Sequence, residues 1–113
     1  MPDRLCGILG LCRKAGRLEL GYDAVMDAVN AGRAALVLIA EDCSERTSGG
    51  AAKLAGEHKT EIRKLPMDMD GIGRALSKRA GVIAVCDKGF AEKIKELLDA
   101  AQSAKTGEEL HRC

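Results

Sequence analysis

Few residues of this 113-residue chain have the type and spacing that catalysis requires. The two histidines, His58 and His111, have no Ser, Cys or carboxylate at a spacing that forms a catalytic set, so both are expected on the solvated surface. Glu41 and Asp42 follow an apolar run, where α/β enzymes often place acids, but we favour a helix-cap role for Asp42. The segment 71–73 is no dinucleotide fingerprint, and no P-loop is present. The sequence therefore predicts no catalytic residue and no cofactor.

The cysteines favour neither a metal site nor a disulfide framework. Their number is odd, their spacing is wide, and no pair has zinc-knuckle or C-x-x-C separation. This pattern is typical of reduced, mostly buried thiols in a cytoplasmic protein, so no metal site is predicted. The five are Cys6, Cys12, Cys43, Cys86 and Cys113, the last in a polar tail where it is expected to be exposed.

Two local groups of basic residues remain as a chemical feature. In the first, Arg13, Lys14 and Arg17 precede Gly21, which opens a predicted helix. A glycine at a helix start allows another backbone to approach closely, and the free N–H groups there attract phosphate. The second group consists of Arg74, Lys78 and Arg79. A single group of basic residues is usually only a solvated face, but these two groups both lie beside the ends of predicted strands and could meet in the fold.

Composition limits the kind of partner. With 18 Lys+Arg against 17 Asp+Glu, the net charge of +1 argues against a uniformly basic nucleic-acid binder. One Tyr, one Phe and no Trp exclude a sheet that stacks several bases. The longest apolar run, residues 34–40, is far shorter than the roughly 20 residues of a membrane helix, and no secretory signal is visible. We therefore expect a cytoplasmic protein without a membrane partner.

Apolar periodicity predicts helices that alternate with strands, which is typical of a three-layer α/β/α sandwich with a largely parallel or mixed sheet. The run 35–39 is apolar on both faces and is expected to be a central strand. From Gln102 the chain turns polar, and Gly107 should break a helix. We therefore predict one domain over residues 1–102 and a flexible tail over residues 103–113. The predicted starts of helices are Asp3, the residue after Gly21, Asp42 or Ser44, Asp68 and Asp87, and the other predicted strands are residues 17–20, 60–65 and 82–86.

Five segments carry a family resemblance. They are Ala15–Val25, Gly32–Asp42 with the phrase Leu-Val-x-Ile-Ala-Glu-Asp, Ile72–Ala75, Val82–Val85 and Asp87–Ala91. Together they are similar to the L7Ae ribosomal protein family, whose members bind kink-turn RNA, and the last segment resembles its bacterial, YlxQ-type branch. The resemblance covers about residues 3–100. It implies a four-stranded mixed sheet, a non-enzymatic RNA-binding function, and as partners structured RNA such as ribosomal RNA, with ribosomal or translation-factor proteins also considered.

The resemblance also implies how RNA would be bound. In the family, the start of the second helix enters the groove of a bent RNA and reads sheared G·A pairs, while a loop before the last strand covers an extruded nucleotide. By position, Arg17 would contact phosphate, Gly21 would allow close approach, residues 22–24 would stand at the helix start, and residues 78–81 would form the loop. The ring of Tyr22 could stack or hydrogen-bond there. The predicted RNA-binding residues are Arg13, Lys14, Arg17, Gly21, Tyr22, Asp23, Ala24, Lys78 and Arg79.

Three positions depart from the family pattern. Archaeal and eukaryotic members have Asn-Glu at Asp23 and Ala24, and Lys at Asp27. Asp23 can still accept from a guanine N–H, but Ala24 cannot, and a lost base contact costs about 1–3 kcal/mol. We therefore expect kink-turn affinity to be reduced, redirected or lost. A protein-interaction module of the same fold is the alternative, and an α/β enzyme using Glu41 and Asp42 would need a pocket beside them.

Overall fold

The computed structural model describes the backbone of residues 3–112 and the side chains of residues 4–100. The sequence expectations for Cys113 and for the side chain of His111 lie outside this part. No helix in the described part is long and apolar enough to cross a membrane. Five helices and four strands alternate, as the periodicity predicts: α1 Asp3–Lys14, β1 Leu18–Leu20, α2 Tyr22–Asn30, β2 Leu36–Ile39, α3 Glu45–Glu57, β3 Glu61–Lys64, α4 Met69–Leu76, β4 Val82–Val85 and α5 Lys88–Arg112.

The strands form one mixed sheet in the order β1-β4-β2-β3. Strand β4 runs antiparallel to both β1 and β2, while β2 and β3 are parallel. Every residue of β2 and β4 is buried, because helices cover both faces of these two central strands. The side chains of Leu36 and Leu38 join the core under α1, α4 and α5, and those of Val37 and Ile39 join the core under α2 and α3. The predicted α/β/α sandwich is confirmed.

The helix starts follow the capping chemistry of the sequence. The hydroxyl of Ser44 accepts a 3.2 Å hydrogen bond from the N–H of Thr47, so Ser44 rather than Asp42 caps α3. Asp68 and Asp87 accept N–H bonds at the starts of α4 and α5, as predicted. These caps determine where the loops before α3, α4 and α5 end, and residues of the candidate site lie in such loops.

Three sequence predictions need correction. Helix α5 continues through Gly107 to Arg112, because one interior glycine costs about 1 kcal/mol and a formed helix propagates without a new nucleus. The apolar periodicity places Ala52 and Ala75 on the inward faces of α3 and α4, but both are exposed, since each lies about 100° around its helix from a buried neighbour, Ala51 or Leu76. The flexibility of residues 103–113 and the domain boundary at residue 102 stay predictions.

Candidate nucleic-acid interface

The start of α2 leaves three backbone N–H groups without an acceptor among the described residues. Gly21 precedes the helix with φ 99° and ψ 157°, a conformation that is essentially restricted to glycine, and no side chain caps this end. The Gly21 carbonyl accepts the first helical bond from the N–H of Val25 at 3.0 Å. The N–H groups of residues 22–24 therefore remain available to an anion.

This helix start lies in a cleft of about 440 Å³ at the end of the sheet where β4 begins. Because β1 is antiparallel to β4, the residue after β1 comes beside the first residue of β4, and the N–H of Gly21 donates to the carbonyl of Val82 at 3.0 Å. Residues 79–81 form one wall of the cleft and residues 42–44 form another. The fold thus brings Gly21 and Tyr22 together with Arg79, as the sequence predicts.

Arg79 is oriented by Asp70. The guanidinium Nε donates to Oδ1 of Asp70 at 2.8 Å, and the two side chains are 59% and 66% exposed. This hydrogen bond, aided by the opposite charge, raises the pKa of Arg79 and lowers the pKa of Asp70. An exposed pair adds little to stability. Among the described residues, Asp70 contacts only the Nε of Arg79. The two terminal nitrogens of Arg79 can therefore donate to a phosphate or a base.

Asp42 has a structural contact in the same cleft. Its Oδ1 accepts a 2.8 Å hydrogen bond from the N–H of Met69, the first residue of α4. The sequence left Asp42 or Ser44 open as the start of α3; Ser44 caps that helix, and Asp42 instead accepts a hydrogen bond at the start of α4. The enzyme hypothesis needs a pocket at Glu41 and Asp42, and the cleft does reach Asp42. Glu41 is exposed and does not line the cleft. His58 lies at the C-terminal end of α3 and does not line it either, so these residues form no acid–base set.

Two residues of the first basic group, Arg13 and Lys14, line a neighbouring cleft. Arg13 and Lys14, at the end of α1, face residues 75–77, at the end of α4, around a volume of about 410 Å³. Lys78 follows directly and leads to Arg79 in the first cleft. Within the described part of the chain, Arg13, Lys14 and Lys78 have no acidic partner within 4.0 Å. Their charges are therefore available along a path from α1 to the start of α2.

Arg17 lies at the α1 end of this path, where its N–H donates to the carbonyl of Cys12 at 3.0 Å, and away from the first cleft. Its carbonyl accepts from the N–H of Cys86 at 2.8 Å and from the thiol of Cys12 at 3.3 Å, at the end of β4 rather than at its beginning. Gly21 is four residues further along, about 13 Å away at roughly 3.3 Å per residue of extended strand. Phosphate contact by Arg17 stays a prediction, and it would require an RNA that reaches past the cleft.

The exposed side of α2 is acidic. Asp23 and Asp27 are exposed, and Ala24 is half-buried. A carboxylate in the first turn of a helix interacts favourably with the helix dipole, so Asp23 competes with a phosphate for the same positive end. The charge pattern is thus divided, with cations toward α1 and α4 and carboxylates on α2.

Two residues of the site, Asp70 and Gly50, are not among the residues that the sequence predicts to be functional. Asp70 orients Arg79 from nine positions away on another element. Gly50, in α3, lies under the ring of Tyr22. The signal for Gly50 was the Gly49-Gly50 pair, because two glycines inside a helix are costly and call for a packing reason.

Comparison with known proteins identifies relatives over most of the chain. The sequence profile described as "Ribosomal protein L7Ae/L30e/S12e/Gadd45 family" matches residues 4–97. The protein named RNA-binding protein YlxQ in Bacillus subtilis is 36% identical over 93 residues, which is 81% of this chain and 92% of that protein. The protein of the same name in Enterococcus faecium is 27% identical over 97 residues, covering 86% and 93% of the two chains.

A solved structure shares the fold. It is described as a protein with unknown function from Bacillus halodurans, and it matches with a TM-score of 0.80 at 28% identity, covering 87% of this chain and 99% of that one. The sheet order, the cleft at the start of α2 and the profile match lead to one conclusion. The chain belongs to the ribosomal protein L7Ae/L30e/S12e/Gadd45 family.

Proposed function

We propose that the protein binds structured RNA without catalysing a reaction, through the start of α2 and the loop of residues 78–81. The observation that carries the proposal is the set of three free N–H groups at residues 22–24, in the first turn of a helix whose first residue, Tyr22, lines one cleft with Arg79. Family membership and the RNA-binding names of the Bacillus and Enterococcus relatives support it.

Phosphate contacts would position the RNA. The N–H groups of residues 22–24 are suited to a phosphate at the helix end, and the terminal nitrogens of Arg79 to a second phosphate or a base edge. Arg13, Lys14 and Lys78 would follow the RNA backbone away from the cleft, since they have no acidic partner among the described side chains. This arrangement predicts a strong dependence of affinity on salt.

We further propose that the RNA is bent in the manner of a kink-turn. The major groove of regular A-form RNA is too deep and narrow for side chains to read, so a helix end reaches base edges only where the groove is widened. Gly21 has no Cβ to hold that helix end away from the RNA. Asp23 can accept from a guanine N–H, whereas Ala24 offers no base contact, so we expect weaker affinity than in relatives with Asn-Glu there.

A titration with two RNAs tests the proposal. One RNA contains a standard kink-turn, and the other is a straight duplex of equal length and base composition. We expect at least about tenfold tighter binding to the kink-turn, which corresponds to roughly 1.4 kcal/mol. Equal and weak binding to both would contradict kink-turn recognition, and no binding to either at low salt would contradict RNA binding altogether.

A protein-interaction module is the second candidate, and the exposed carboxylates of Asp23 and Asp27 favour it. They repel phosphate but suit a basic surface on a ribosomal or translation-factor protein. A nuclease-insensitive complex with such a purified protein, lost in the Asp27→Lys variant, would support this function over RNA binding. Either role in translation would place the protein in the cytoplasm.

A further inference from the structure

The ring of Tyr22 rests directly on the surface of α3 at Gly50. A Cβ built on Gly50 would lie 2.6 Å from the hydroxyl oxygen of Tyr22 and 3.4 Å from two of its ring carbons. The neighbouring Gly49 is different, because a Cβ there would meet nothing within 4 Å. Gly50 therefore provides the space in which the end of the Tyr22 side chain lies.

The contact with α3 holds the ring at the edge of the cleft. Tyr22 is the first residue of α2, Gly50 lies in the middle of α3, and Thr47, one turn before Gly50 on the same helix face, also lines the cleft. The residue is nonetheless 43% exposed, so a large part of the side chain faces solvent. In the described part of the chain, Leu11 is the one other large apolar side chain with comparable exposure.

We propose that Tyr22, held by Gly50, is a stacking surface for an unpaired nucleobase, and that Gly50 is a positioning residue for RNA binding. The inference rests on the proposed function. A fixed aromatic face suits any base, because every base has a π-face, and it requires an unpaired base, because paired bases already stack on one another. The free N–H groups of residues 22–24 would hold the phosphate backbone beside the same ring.

Four variants test the proposal, and the chain supplies the matched control. Gly50→Ala and Gly49→Ala both exchange a helical glycine for the best helix former, so neither should lower stability. Only Gly50→Ala forces the Tyr22 hydroxyl to move. Tyr22→Phe deletes that hydroxyl, and the remaining ring carbons at 3.4 Å are in ordinary contact with an added Cβ. The double variant Tyr22→Phe/Gly50→Ala should therefore restore the ring position.

The first readout is the affinity for the kink-turn RNA of the titration above. We expect Gly50→Ala to weaken binding about tenfold, in keeping with the loss of one base–aromatic stack. Gly49→Ala should remain within about twofold of the unmodified protein, and the double variant should return to within about twofold of Tyr22→Phe. Equal affinities of Gly50→Ala and Gly49→Ala, or no restoration in the double variant, would overturn the proposal.

The second readout follows the ring itself. Tyr22 is the single tyrosine of the chain, so 3-fluorotyrosine labelling gives one ¹⁹F resonance that reports on this side chain alone. We expect the resonance of the free protein to shift in Gly50→Ala but not in Gly49→Ala, and the unmodified protein to show a further shift with RNA. A resonance that is unmoved by bound RNA would overturn the stacking role. If the unmodified protein fails to bind the RNA, the proposed function itself fails, and the inference falls with it.

Discussion

The carboxylate of Asp42 and the backbone N–H of Met69 are joined by a 2.8 Å hydrogen bond across 27 positions of sequence. The bond links the connection after β2 to the first residue of α4, and both segments line the cleft at the start of α2. It gives an acid at the end of a central strand a structural role, at a position where α/β enzymes often place catalytic groups.

The variants Asp42→Asn and Asp42→Ala separate the structural role from acid chemistry. Asparagine keeps an oxygen that can accept from Met69, so we expect a change in the free energy of unfolding below about 0.5 kcal/mol. Alanine leaves the N–H without its acceptor, and we expect a loss of about 1 kcal/mol. Urea denaturation measures both. A loss with asparagine as large as that with alanine would show that the charge, rather than the hydrogen bond, is required.

Gly21 should be intolerant of a side chain. At φ 99° and ψ 157°, an L-residue is strained, and we expect Gly21→Ala to lower the free energy of unfolding by about 1–3 kcal/mol. The cost arises from the backbone alone, since an added Cβ meets nothing within 4 Å. Gly10→Ala, in the helical backbone of α1, is the control and should be neutral or stabilising by up to about 1 kcal/mol. If both variants behave alike in urea denaturation, the strain at Gly21 is absent.

Lys78 should contact phosphate, while Lys64, on the edge strand β3, should not. Both lysines are exposed and have no ion pair among the described side chains, so they form a matched pair. We expect Lys78→Ala to weaken kink-turn binding and to reduce the slope of log affinity against log salt by about 1. Lys64→Ala should leave that slope unchanged. Equal slopes for the two variants would remove Lys78 from the interface.

Arg17 provides a test of how far the RNA extends. The family resemblance assigns it a phosphate contact, although it stands at the other end of β1 from the cleft. If Arg17 makes this contact, Arg17→Glu should lower RNA affinity and reduce the slope of log affinity against log salt, as we expect for Lys78→Ala. An unchanged slope in the same titration would limit the interface to the cleft and to the path from Arg13 to Lys78.

The buried thiol of Cys12 should make stability fall at alkaline pH. Burial, aided by the charge of Asp87, raises the pKa of Cys12 from 9.0 to about 11. The unfolded thiol ionises first, so the stability contributed by this group is complete below about pH 9 and is lost as the pH rises to about 11. We expect a shallower fall in Cys12→Ala than in the unmodified protein, measured by urea denaturation between about pH 8 and about pH 11 under reducing conditions. Parallel curves would contradict the shift.

Much of the fold follows from local sequence patterns. The runs of β2 and β4 are apolar on both faces and become central strands, and Asp68 and Asp87 cap helices where their positions indicate. The site is less predictable, because its contacts join distant positions. The ring of Tyr22 meets Gly50 on another helix, and no local pattern reports which of two adjacent glycines has a neighbour. Arg17 shows the converse, because it is only four residues from Gly21 in sequence and yet lies at the opposite end of β1.

The most direct test of the RNA site is the response of individual amides. In ¹⁵N-labelled protein, we expect kink-turn RNA to move the resonances of residues 22–24 most, because their free N–H groups would become donors to the RNA, and those of residues 78–81 next. A straight duplex should leave residues 22–24 nearly unmoved. The largest shifts at the end of α3 or along β3, with residues 22–24 unchanged by bound kink-turn RNA, would contradict binding through the start of α2.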